Sequence, residues 1–105
     1  IQHYLSQMGM TAYQHQKVTK YSLGMRQRLA IVQAFMENQE VVLLDEPTNA
    51  LDTDGLVRLN SLIEVQRQKG TTIIIATHSH QEIQVPGQQV IHIENGMVKG
   101  ALRDA

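Results

Sequence analysis

Val41-Val42-Leu43-Leu44-Asp45-Glu46-Pro47-Thr48-Asn49-Ala50-Leu51-Asp52 is the stretch on which the reading of this chain turns. Four consecutive apolar residues, two of them β-branched, predict a strand buried on both faces, as parallel-sheet strands are when helices cover both sides. Pro47 has no amide hydrogen to give to a ladder, so the strand stops and Asp45 and Glu46 are delivered to its carboxyl end. In open α/β sheets that rim is where ligands bind. Taken alone, the stretch is read equally well as a buried strand running into an acidic turn. The flanking sequence has to separate the two.

Downstream, Thr53 or Asp54 is placed to cap a helix through about Lys69, with Leu56, Leu59, Leu62, Ile63 and Gln66 as its inward stripe. Lys69-Gly70 supplies a basic last turn and a glycine just beyond it. Thr71 to Ala76 is rich in β-branched residues and predicts a second strand, so strand, helix and strand form a βαβ unit with a right-handed crossover. Thr77 and His78 then emerge on the same rim as Asp45 and Glu46. Ser79 is placed to cap a short helix through Gln84, and Pro86-Gly87 makes a turn. Asn95-Gly96 between 89–94 and 97–99 is a strong hairpin signal.

Upstream, Ile1, Tyr4, Leu5 and Met8 recur at helical spacing and Gly9 can end that helix. Thr11 is a candidate cap for a second short helix through Val18, whose apolar stripe is thin. Ser22 precedes a third helix over about 24–37, with Met25, Leu29, Val32 and Phe35 or Met36 inward. Arg26 and Arg28 fall in its first turns, where cations oppose the helix dipole and call for a nearby anion or acidic partner.

Composition narrows the classes. The 105 residues suit one domain or part of one. A net charge of -1 gives no basic footprint, so direct nucleic-acid binding is disfavoured. No cysteine is present, which excludes disulfides and thiolate metal sites. No apolar run is long enough to span a bilayer, and nothing at the start resembles a signal peptide. The chain begins at Ile1 inside an expected helix, which suggests a piece of a longer protein.

Leu43-Leu44-Asp45-Glu46-Pro47-Thr48-Asn49-Ala50-Leu51-Asp52 resembles the Walker B motif and D-loop of ATP-binding-cassette (ABC) ATPases. Tyr21-Ser22-Leu23-Gly24-Met25-Arg26-Gln27-Arg28 resembles the signature motif of the same family, with Ser22 and Gly24 retained where the common form reads Leu-Ser-Gly-Gly-Gln. Its pattern is similar to that of the drug, peptide-antibiotic and immunity exporters. His78 resembles the H-loop histidine, and Asp52 the D-loop aspartate, with Ala50 in place of the more usual Gly or Ser. Judged by its own surroundings, Asp52 is equally a residue at a helix start. His78-Ser79-His80 is not read as a metal site, since no carboxylate or cysteine cluster accompanies it, and His3, His15 and His92 are read as incidental.

The resemblance implies an α/β fold: a partial P-loop NTPase-like parallel βαβ sheet at 39–105, a helical subdomain segment with the signature at 1–38, and a C-terminal hairpin. It implies ATP and Mg²⁺, with Asp45 on the metal, Glu46 acting on the attacking water, and His78 contacting the γ-phosphate and that glutamate. Ser22 and Gly24 would meet the γ-phosphate held by a second ABC domain paired head to tail, and Asp52 would sit at that interface. A transmembrane permease is the implied partner, which places the protein in the cytoplasm, peripheral on the inner face of the membrane. No glycine here is followed by lysine, so the Gly-x-x-x-x-Gly-Lys-Ser/Thr phosphate cradle is missing. The chain therefore reads as the C-terminal half of an ABC domain, inactive by itself. A soluble ABC ATPase with no transport role, or a non-hydrolysing partner that supplies only signature and interface residues, would share the same motifs.

Overall fold

The computed structural model describes residues 2–13 and 15–103. Ile1, expected at the head of the first stripe, Gln14, within the expected second helix, and residues 104–105 lie outside the described residues. The chain runs α1 (Gln2–Gln7), two 3₁₀ turns at Thr11–Tyr13 and Val18–Lys20, α2 (Leu23–Phe35), β1 (Val41–Asp45), α3 (Thr53–Gln68), β2 (Thr72–Ala76), a 3₁₀ turn at His80–Glu82, β3 (Gln89–Glu94) and β4 (Met97–Arg103). The βαβ unit forms as its sequence predicts. β1 and β2 pair in parallel, Val41 with Thr72 through Asp45 with Ala76. β3 and β4 form an antiparallel hairpin around Asn95 and Gly96, both at positive φ as that two-residue turn requires.

One core holds the helices to the sheet. Ile31, Val32 and Phe35 of α2 and Leu59, Leu62 and Ile63 of α3 meet Val42 and Leu44 of β1, with Ile73 and Ile75 of β2 packed against them. Tyr4, Leu5, Met8 and Met10 extend the same cluster to α1. Gly9 turns the chain there at φ 72, and a side chain on it would run into the guanidinium groups of Arg28 and Arg58 about 2.9 Å away.

Several expectations are corrected. Among the described residues β1 is covered on one face only: Val42 and Leu44 are buried while Val41 and Leu43 are 51% and 70% exposed. Both helices contribute to the single cluster around Val42 and Leu44, so the four-residue apolar run reads as two-sided burial when half of it faces outward. The expected helix from Thr11 to Val18 is two separate 3₁₀ turns, consistent with its thin stripe. Asp52, rather than Thr53 or Asp54, caps α3, its carboxylate accepting from the Gly55 amide at 2.8 Å. Ser79 makes no side-chain cap to the short 3₁₀ turn after it, and its own amide donates to the Thr77 hydroxyl at 2.9 Å.

Candidate functional site

The residues singled out in the sequence fall into two clusters joined by α2. The first lies at the carboxyl ends of β1 and β2. The Glu46 amide donates to the Ala76 carbonyl at 2.7 Å, carrying the parallel register one residue past the strand. The Glu46 carboxylate then lies between the two chain exits, with Thr77 Oγ1 3.4 Å from Oε2 and His78 Nε2 3.5 Å from Oε1. These contacts are long, and the His78 side chain is 97% exposed. Asp45 precedes them on the exposed face of β1. Glu46 takes φ 47, uncommon for a residue with a side chain.

The second cluster surrounds the start of α2. Ser22 caps the helix, its hydroxyl accepting from the Met25 amide at 3.2 Å. The 48–52 loop passes close to Gly24, where a Cβ would stand 3.0 Å from the Ala50 carbonyl oxygen. Ala50 itself holds φ 63, the conformation that Gly would take without strain. A cleft of about 420 Å³ opens here, with Met10, Ser22, Gly24, Arg28 and Asp52 in its wall.

Charge locks this second cluster. Arg28 donates through Nη2 to Asp52 Oδ1 at 2.9 Å and to Asp54 Oδ2 at 3.2 Å, and through Nη1 to the Met8 carbonyl at 2.9 Å. Arg58 Nε donates to the same Asp54 oxygen at 2.9 Å. The Gly55 amide, followed by the Arg28 guanidinium, holds the Asp52 carboxyl below its ordinary range. Asp54 is lowered chiefly by Arg58, with Arg28 adding to the effect. The acidic partner that the early arginines of α2 call for is thus supplied within the chain for Arg28, while Arg26 is exposed and pairs with no described acid.

The structure therefore brings Glu46 and His78 together, and Ser22, Gly24 and Asp52 together, at separate places. Sequence reasoning placed Thr77 on this rim without its contact to Glu46, and missed the role of Gln27. Gln27 Nε2 donates to the carbonyls of Glu46 and Pro47 at 3.1 and 2.9 Å, and so ties α2 to the acidic turn. Gln27 lies within the signature-like Tyr21–Arg28 stretch, but nothing there marks this role, since its partners are backbone atoms about twenty residues on.

Comparison with known proteins gives these clusters a context. A family model described as "ABC transporter" matches residues 1–49. The uncharacterized ABC transporter ATP-binding protein YdbJ of Bacillus subtilis is 41% identical over 96 residues, which is 90% of this chain and 31% of that protein. The chain is similar to members of the ABC transporter ATPase family. Another relative within it, the lantibiotic transport ATP-binding protein SrtF of Streptococcus pyogenes, is 36% identical over 76% of this chain and 35% of its own length. The ATP-binding cassette MJ0796, solved as a dimer in a post-hydrolysis state bound to ADP and Pi, superposes with a TM-score of 0.78 at 25% identity, covering 96% of this chain and 44% of that one. The α/β fold is accordingly that of ABC cassettes. The chain spans about a third of the length of the curated relatives it matches.

Among the described residues no helix is long and apolar enough to cross a membrane, and no three His, Cys, Asp or Glu converge into a ready metal cage. Mg²⁺ is ordinarily held by one or two carboxylates together with substrate phosphates and water, and the exposed Asp45 carboxylate at the end of β1 fits such a shared site.

Proposed function

We propose that the intact protein carrying this chain binds and hydrolyses ATP, and that the Glu46–His78 pair belongs to its catalytic rim. The observation that carries the reading is the 3.5 Å approach of His78 Nε2 to Glu46 Oε1 at the carboxyl end of a parallel strand pair, the place where this architecture binds ligands. Glu46 is the base that orients and deprotonates the attacking water, and His78, with an exposed side chain, is placed to reach the phosphate being cleaved. Asp45 would hold Mg²⁺, which when bound neutralises developing charge on the phosphate oxygens. Ser22, Gly24 and Asp52 line a second, separate cleft, which suits contact with a nucleotide held by another copy in a head-to-tail pair. The dimeric assembly of MJ0796 supports that pairing.

The helical part at 1–38 would present the signature, and 39–105 would contribute to the catalytic core. The relatives' names support a role in driving transport through a separate permease at the inner face of the membrane, and SrtF favours export of peptide antibiotics within that class. No Gly-Lys step occurs in these residues, so the chain by itself lacks the amides and lysine that cradle the β- and γ-phosphates.

The test is Glu46→Gln in the intact protein, which keeps size while removing the base. Hydrolysis should fall by about 10²–10⁴-fold, with ATP binding retained and an ATP-bound dimer accumulating, whereas Asp45→Asn should weaken Mg²⁺-dependent binding itself. Wild-type hydrolysis by Glu46→Gln, measured as phosphate release, would remove Glu46 from the mechanism.

A further inference from the structure

We propose that Gln27 is a positioning residue for Glu46, holding the acidic turn in a conformation that it would not keep unaided. This rests on the reading of Glu46 as the base. Two sequence features oppose the observed geometry. Glu46 stands at φ 47, in the left-handed region that residues with a Cβ avoid. It also precedes Pro47, whose ring pushes the residue before it toward extended backbone. A turn disfavoured on both counts persists only where the surroundings fix it.

The restraints fall on either side of the residue. Toward the strands, the Glu46 amide is held by the Ala76 carbonyl at 2.7 Å. Beyond it, Pro47 has no amide hydrogen to contribute, and the Glu46 carbonyl receives the Asn49 amide at 3.2 Å. Gln27 supplies what is missing: its primary amide spans the carbonyls of Glu46 and Pro47 at 3.1 and 2.9 Å. A primary amide has two N–H donors, enough to satisfy both oxygens at once. The carboxylate's own contacts, at 3.4 and 3.5 Å, are too long to fix the backbone that carries it. Gln27 also sits on the helix whose first turn lines the Ser22–Gly24 cleft, so a shift of α2 against β1 moves the base.

The experiment is steady-state ATP hydrolysis by the intact protein with Gln27→Met, which keeps length and loses both donors, and Gln27→Lys, which keeps donors. Gln27→Met should lower kcat by about 10- to 100-fold, the scale of a misplaced reacting group, with KM for ATP within about twofold. In a Glu46→Gln background the same substitution should cost less than about twofold, because no base remains to be positioned. Gln27→Lys should recover most of the lost kcat. An unchanged kcat in Gln27→Met, or an equal loss with and without Glu46, overturns the proposal, as does a folded Gln27→Lys protein no more active than Gln27→Met. Should Gln27→Met fail to fold, the lysine variant decides alone: near-wild-type kcat supports the proposal and a loss beyond about tenfold overturns it. Failure of the underlying reading looks different, since Glu46→Gln would then hydrolyse ATP as the wild type does.

Discussion

The rim around Glu46 and the cleft around Asp52 are both built on carboxylates, yet they are held in opposite ways. In the cleft every carboxylate named has a guanidinium or amide within 3.2 Å, and Arg28 ties α2, α3 and the end of α1 into one network. On the rim the side chains meet at 3.4 to 3.5 Å and His78 is almost wholly exposed, while the backbone beneath them is tightly bonded. The difference teaches where completion comes from. The cleft satisfies its charges internally and so acts as a fixed wall, whereas the rim presents groups with unused hydrogen-bonding capacity to whatever arrives.

That contrast can be broken by substitution. With the base itself left in place, the largest effect should come from His78→Ala, which removes a rim side chain with no packing role: phosphate release by the intact protein should fall by about 10²-fold with its melting temperature unchanged. A parallel loss of stability would show that the histidine braces the fold instead. In the cleft the reverse is expected. Gly24→Ala would place a Cβ 3.0 Å from the Ala50 carbonyl oxygen, in a loop already strained at φ 63. The net cost should be about 1 kcal/mol after the helix-propensity gain of the methyl group, read as a lower urea midpoint. A higher midpoint would mean that the 48–52 loop gives way freely.

The smallest effect concerns acid. Asp52 and Asp54 are held below the ordinary 3.8, so in the fold they stay ionised at a pH where the unfolded chain already takes up protons. Their contribution is whole above 3.8 and is lost as pH falls through the lower folded values. Because both are exposed, the change is small and screened by salt. Urea titrations at pH 6 and pH 3 should show the wild type losing more than the double variant Asp52→Asn, Asp54→Asn, and equal losses would mean that the network contributes nothing.

The βαβ unit and the hairpin were legible because their signals are local: β-branched runs, a glycine after a basic turn, and Asn-Gly between apolar strands. Convergence of Glu46 with His78 was legible too, since parallel pairing alone sends both chain exits to one rim. Gln27 was not, because its partners are carbonyls distant in sequence and no side-chain pattern encodes them. The burial of β1 was misread for a related reason. An unbroken apolar run states that a strand is hydrophobic and leaves open how many of its faces are covered, as Val41 and Leu43 show against Val42 and Leu44.

That half-covered strand bears on handling of the 105-residue chain. Val41, Leu43 and Ile74 stand on the outer face in register, 51%, 70% and 54% exposed. Attraction between such surfaces is driven by water and weakens on cooling, unlike strand-edge pairing through hydrogen bonds. Solutions of the chain that cloud when warmed should therefore clear on ice. Leu43→Lys, at the most exposed of the three positions, should move the clouding point upward without disturbing the core on the other side of the sheet.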